Sequence, residues 1–274
     1  MRGRKLLIFL LRAAGILLLL FPVALRFLSS FQQSEVVAGY EESLYRYNEQ
    51  MVEEELAKAR EYNDSLTGTE VRDPFIPGSG VVVPDNYEEI LNVDRGMMGT
   101  LEIPAIDLSL PIYHGVEQEV LEKGVGHLQE TPLPIGGEGH HTVLSTHRGL
   151  PEAKLFTNLD KLVEGDEFYI RILNDTLAYR VDQIRVVEPE DTRYLKPEAG
   201  RDYVTLLTCT PYGINSHRLL VRGVRTEYVE ERKEETRSRA FPVERWLLLA
   251  VVVILVIWIG SAWYKKKKKR DKTR

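Results

Sequence analysis

Cysteine is almost absent from this chain of 274 residues, which has only Cys209. A disulfide within the chain is therefore excluded, and so is a metal site built on several thiolates. Basic residues are scarce away from the two ends. Residues 29–245 carry twenty-three lysines and arginines against forty aspartates and glutamates, a formal charge of −17. Nucleic acid is not expected as a partner, because contact with phosphates needs a basic surface. The length suits one sizeable domain with appendages and leaves no room for a long repeat array or a multidomain machine. With 43% apolar and 28% charged residues the average is that of a globular protein, yet both kinds of residue are segregated along the chain.

The apolar residues concentrate at the ends. Residues 246–264, WLLLAVVVILVIWIGSAWY, form an uncharged run of 19 that as a helix reaches roughly 28 Å, enough to cross a bilayer. Trp246, Trp263 and Tyr264 sit at its ends, where amphipathic rings prefer the interface, and residues 265–270 are an unbroken basic run that should stay in the cytoplasm and can meet anionic membrane lipid. Residues 1–28 carry five basic residues and no acid around LLIFLLRAAGILLLLFPVALRFL. This pattern reads as a signal anchor or a secretory signal peptide. Either would export the chain beyond residue 28, and the preferred anchor reading leaves both termini cytoplasmic, with residues 29–245 outside the cell membrane.

Within the exported part, Tyr40, Leu44, Tyr47 and Met51 recur at spacings of three and four, which predicts one amphipathic helix face. Residues 71–85, VRDPFIPGSGVVVPD, hold three prolines and two glycines and must form a loop or arm. Asp85 and Glu88 resemble a capping box that opens a short helix through Leu91. From Gly99 onward the runs LEIP, LSLPIY, HTVLST, EFYIRIL, TLAYRVDQIRVV, DYVTLLT and HRLLVRGVRTEYV alternate with turn residues and read as strands. Asn174-Asp175 marks a hairpin, Pro104 and Pro111 mark edges or bends, and short helices are expected near 117–123 and 151–159. So many strands in so little chain predict a mainly β fold, a closed or nearly closed barrel.

Cys209 ends the strand DYVTLLT, and an unpaired thiol in an oxidising compartment is a candidate nucleophile. The next strand, from His217, should pair with it and bring Arg218 across the sheet, where a cation favours the thiolate and stabilises an oxyanion. Six histidines are present. The adjacent His140 and His141 would point to opposite faces of a strand, so no metal is expected. A Cys with a distant His is the general pattern of thiol acyl transfer, but spacing does not choose the histidine. His217 is nearest in sequence, although it should face away from Arg218.

Three segments narrow the choice. LSTHRGLPEAKLFTNLDKL around His147, TLLTC ending at Cys209 and NSHRLLVRG around Arg218 resemble the sortase family, with TLLTC fitting its TLxTC signature. The resemblance covers about residues 95–228. It implies a β-barrel cysteine transpeptidase of the Gram-positive cell surface that needs no cofactor, with His147, Cys209 and Arg218 as the catalytic residues. Thr208, beside the thiol in the signature, is a candidate for substrate contact. Asp73-Pro74-Phe75 resembles the lid motif of class C, pilin-polymerising sortases. That likeness implies an ion pair between Asp73 and Arg218, and Phe75 shielding Cys209.

The implied partners are pilin subunits with an LPXTG-like sorting signal and an acceptor lysine. A housekeeping-type sortase acting on peptidoglycan precursors, or a noncatalytic pilus-assembly scaffold, are the other readings. The expected division is an anchor or signal segment at 1–28, an amphipathic helical region at 29–70, a lid-like arm at 71–85 and the catalytic barrel at 86–228. A charged linker comes next at 229–245, then a transmembrane helix at 246–264 and a basic tail at 265–274.

Overall fold

The structure, a computed structural model, describes residues 2–66, 71–75 and 86–239. Eight strands form a closed barrel: β1 (Met97–Ile103), β2 (Leu108–His114), β3 (Val125–His127), β4 (His140–Ser145), β5 (Glu167–Ile172), β6 (Asp175–Val187), β7 (Asp202–Thr210) and β8 (His217–Thr226). Around the barrel the order is β1-β2-β3-β4-β7-β8-β6-β5, and β5 pairs back onto β1. The β2–β3 and β4–β7 pairs are parallel and the others antiparallel. Closure leaves no free sheet edge. The seven predicted strand segments are all present. The eighth, β3, spans three residues, shorter than the runs by which the others were read.

Alternation sorts the side chains of β7 onto two faces. Val204 and Leu206 join Leu219 and Val221 of β8 in the core inside the barrel. Leu207 faces outward and meets Val143 of β4, Val187 of β6 and Leu220 of β8 in a smaller cluster with Leu128 and Leu195. Phe168 and Tyr179 stack within the main core, their centroids 5.7 Å apart. Gly99 sits where β1 crosses β5, and a Cβ there would collide with the Arg171 carbonyl and the Ile172 side chain.

Among the described residues two α-helices precede the barrel, α1 (Arg2–Leu44) and α2 (Glu49–Ser65). The single helical stripe expected through Met51 is broken between them. Asn48 accepts the Met51 N–H at 2.9 Å and caps α2, because a short polar side chain offers the backbone an alternative to continuing the helix. Tyr40 and Leu44 are buried and Tyr47 packs on the core, but Met51 is 40% exposed. Tyr40 anchors α1 to the barrel: its hydroxyl donates to the Met98 carbonyl at 3.1 Å and accepts the Leu173 N–H at 2.8 Å. Burial pushes the phenol up to about 12.

Leu173 belongs to the β5–β6 turn. The pair Ile172–Asp175 closes it, so the turn residues are Leu173 and Asn174, one position earlier than the sequence signal implied. The capping-box helix shrinks to a 3-10 turn at Tyr87–Glu89, and Asp85 lies outside the described residues. The short helices appear as α3 (Gln118–Lys123) and a 3-10 segment at Leu155–Lys161. Pro104 opens another 3-10 turn at Pro104–Ile106, the bend expected of it, whereas Pro111 lies inside β2, opposite Thr100 and one residue before β3 pairing begins. The charged stretch after β8 is a helix, α4 (Glu230–Arg239), docked through Lys233–Glu102 at 2.8 Å and Arg232–Glu167 at 3.5 Å.

Among the described residues no helix is long and apolar enough to cross a membrane. The expected span at 246–264 and the basic tail at 265–274 lie outside the described residues.

Candidate active site

Cys209 is the penultimate residue of β7 and has the same outward parity as Leu207. Its cross-strand partner in β8 is Arg218, so the expected juxtaposition of thiol and guanidinium arises from the register of one antiparallel pair. The strand continues to Thr210, and Cys209 is only 8% exposed.

His147 arrives by the neighbouring strand. In the parallel β4–β7 pair, Ser145 lies opposite Leu207. The Thr146 N–H donates to the Leu207 carbonyl at 3.4 Å, which carries the pairing past the end of β4. Continuing that register sets His147 level with Cys209, with the same outward parity. The backbone on either side is held. The Thr208 hydroxyl donates to the Thr146 carbonyl at 2.7 Å, and the Phe156 N–H donates to the His147 carbonyl at 3.2 Å. The Thr146 hydroxyl donates to the Leu121 carbonyl of α3 at 2.9 Å.

The segment 71–75 crosses this outer face. Val71 and Phe75 pack on the outer apolar cluster. The Asp73 carboxylate accepts two hydrogen bonds from Arg218, 2.8 Å from Nε and 2.6 Å from Nη2, and both side chains are buried. Phe75 lies between the other two groups, its ring 5.8 Å from the His147 ring and 5.1 Å from the Arg218 guanidinium carbon. Residues 76–85 of the arm lie outside the described residues.

Burial pushes the Cys209 thiol up; the positive charge of Arg218 opposes this and the carboxylate of Asp73 adds to it. Burial likewise pushes His147 down, against a weaker pull from Glu122. Burial disfavours the charge on Arg218, but the hydrogen bonds and charge of Asp73 outweigh it and raise the guanidinium further. With the arm in place, both shifts favour a neutral thiol beside a neutral imidazole at pH 7.

Other sequence candidates fall elsewhere. Thr208 has inward parity and no exposure, and its hydroxyl is committed to Thr146, so it presents nothing to a substrate and instead ties β7 to the His147 segment. His217, at the start of β8 and of opposite parity to Arg218, meets Glu188 at 3.2 Å and the Ser216 hydroxyl at 2.8 Å, away from the thiol. His127 and His141 are buried in networks with Tyr87 and Thr205, and burial lowers them to about 3 and about 4. No group of side chains among the described residues is suited to hold a metal ion.

One residue that the sequence reading passed over is Arg148. Its guanidinium bonds the Thr210 hydroxyl at 2.9 Å, the Thr157 carbonyl at 3.3 Å and the Asp160 carboxylate at 2.6 Å. The only sequence signal was its place directly after the candidate histidine. The next residue, Gly149, has φ +87 and lies under the Tyr212 ring, which a Cβ would strike.

A closed barrel that gathers a thiol, an imidazole and a guanidinium on one outer face, under an arm from before the first strand, has the architecture of a cysteine transpeptidase. The sortase domain family matches residues 101–226. The crystal structure of Streptococcus pneumoniae sortase C shares 45% identity with this chain, covers 71% of it and 97% of its own length, and superposes with a TM-score of 0.65. Streptococcus agalactiae sortase C1 shares 45% identity over 70% of this chain and 97% of its own, with a TM-score of 0.65. Sortase D of Bacillus subtilis is 31% identical over 130 residues, 46% of this chain and 63% of that protein. The chain belongs to the sortase family, whose members are cysteine transpeptidases, and its structural neighbours place it with class C.

Proposed function

We infer that this chain is a pilin-polymerising transpeptidase whose arm guards its own active site. The arrangement of Asp73 on Arg218, with Phe75 against both Arg218 and His147, carries the reading. An ordinary linker turn would have no reason to bury a carboxylate against the one guanidinium that is paired with the cysteine.

In this mechanism the arm first leaves the groove. Arg218 loses its carboxylate partner and Cys209 loses a neighbouring negative charge, so the thiolate becomes easier to form. The thiolate attacks the carbonyl carbon of the Thr-Gly bond in an LPXTG-like sorting signal, and Arg218 holds the developing oxyanion. His147, carrying the proton it takes from the Cys209 thiol as the thiolate forms, protonates the departing amine as the C–N bond breaks, leaving a thioester on Cys209. A lysine amine of the next pilin subunit then attacks the thioester, loses its proton to His147, forms the isopeptide bond and releases the thiol. The apolar floor of Leu128, Val143, Val187, Leu195, Leu207 and Leu220, now covered by Val71 and Phe75, suits the leucine and proline of such a signal.

Attachment to the cell membrane by residues 246–264, with the barrel outside, belongs to the same proposal and rests on the sequence. Tethering confines enzyme and subunits to one surface and raises their effective concentration. The S. pneumoniae relative was described in relation to pilin substrate specificity.

The test is mass spectrometry of the full chain with a sorting-signal peptide. A thioester adduct on Cys209 that transfers to a lysine-bearing peptide supports the reading. Absence of an adduct overturns it, and transfer only to a peptidoglycan-precursor amine makes the enzyme a housekeeping sortase.

A further inference from the structure

The Arg148 side chain is 8% exposed, and each of its three nitrogens has a partner, the partners lying on two other pieces of chain. Nη1 reaches the Thr210 hydroxyl in β7, Nε the Thr157 carbonyl, and Nη2 the Asp160 carboxylate, the last two in the 3-10 segment after the His147 loop. The β4–β7 register places these contacts. If His147 is level with Cys209, then Thr146 is level with Thr208 and Arg148 with Thr210. Both flanking rungs are tied by side chains, Thr208 to Thr146 at 2.7 Å and Arg148 to Thr210 at 2.9 Å. Those four residues share the inward parity, while His147 and Cys209 share the outward one.

We propose that Arg148 is a positioning residue that, with the Thr146–Thr208 tie, brackets His147 and Cys209 and fixes the distance over which proton and acyl group are exchanged. The inference rests on the transpeptidase reading above. The need for such a clamp comes from the backbone. Regular β4 pairing ends at Ser145, and His147 lies in irregular chain with one weak 3.4 Å rung behind it. The Phe156 N–H holds the His147 carbonyl at 3.2 Å but ties it to the 3-10 segment and not to β7, and a misplacement of about 1 Å in a reacting group costs on the order of a hundredfold in rate. A planar guanidinium with donors in a fixed fork can lock three segments at once. A lysine ammonium in its place keeps the charge but not the fork. The Arg148 charge is offset by Asp160 at 2.6 Å, so the effect is geometric and does not act through the thiol's protonation.

The test uses the full chain in detergent with a sorting-signal peptide and a lysine acceptor. Thr210→Val removes the acceptor hydroxyl with little change of shape, and Arg148→Lys keeps the charge. Both should lower kcat on the order of tenfold with KM nearly unchanged, and Thr210→Val should keep the wild-type melting temperature. A second measurement needs no turnover. The pH profile of Cys209 alkylation should carry an inflection from His147, lost in His147→Ala and weakened in Thr210→Val.

A kcat and inflection left at wild-type values in Thr210→Val and Arg148→Lys overturn the clamp, as does a loss that only tracks the unfolded fraction. Failure of the wild-type chain to form a thioester, with the inflection still weakened in Thr210→Val, instead overturns the transpeptidase reading and leaves the clamp standing.

Discussion

Asp73 and Arg218, 145 residues apart in sequence, meet through two hydrogen bonds, one to each carboxylate oxygen, of 2.8 and 2.6 Å. Bidentate pairing of this kind is strong and directional. It sets a carboxylate against the cation that lowers the thiol's pKa, so one contact both holds residues 71–75 on the barrel and opposes formation of the thiolate.

Asp73→Asn keeps the shape and removes the charge. The carboxylate raises the Cys209 pKa and Arg218 lowers it, so the variant thiol should ionise at lower pH. Below that pKa, each unit of decrease gives about tenfold more thiolate. Iodoacetamide should therefore modify Cys209 faster in Asp73→Asn near pH 7, and faster in Phe75→Ala through exposure. Wild-type labelling rates in both variants would show that the arm does not control the thiol.

Cys209→Ala should abolish thioester formation and the high-molecular-weight pilin ladders of cells that carry it as their sole copy. His147→Ala should do the same, whereas His217→Ala should retain most activity, because its ring faces Glu188 and solvent. The reverse outcome for the two histidines would transfer the proton role to His217.

Tyr40→Phe deletes a buried hydroxyl that bridges the Met98 carbonyl and the Leu173 N–H. Taking this partner from two buried backbone groups should cost about 1–3 kcal/mol. Urea unfolding of the detergent-solubilised protein checks this as a lower midpoint at an unchanged slope. An unaltered midpoint would mean that α1 contributes nothing to the stability of the barrel.

Stability should fall with acid before the carboxylates titrate. His141 is held down at about 4 by burial, against 6.5 when exposed, so between these values the unfolded chain binds the extra proton. Its contribution is complete above pH 6.5, is lost as pH falls toward 4 and changes no further below. His127, lowered to about 3, extends the window downward. Denaturation midpoints across pH 4–7 should decline more steeply in the wild type than in His141→Gln, and parallel curves would refute this origin.

Local order along the chain was enough to read much of this protein. Short runs rich in β-branched and aromatic residues, set off by turn residues, identified seven of the eight strands, because strands buried on both faces read as near-continuous apolar runs. The lone thiol at a strand end, with Arg218 on the next strand, was legible for a similar reason: adjacent antiparallel strands put near neighbours in sequence opposite each other. Prolines and glycines marked 71–85 as an arm, of which the structure describes residues 71–75.

Tertiary structure decided the rest, since nothing local reports which distant segments meet. β4 and β7 are parallel neighbours separated by two other strands in sequence, and only their register sets His147 rather than His217 beside Cys209. The sequence pattern put Thr208 next to the thiol, but the barrel turns that side chain inward to Thr146. Asn48 broke a helix that periodicity alone would have continued. Arg148 became visible only once β7 and the 3-10 segment after the His147 loop had closed around it. Contacts of this kind come from closing a barrel, which spends chain entropy to join residues that are far apart in sequence.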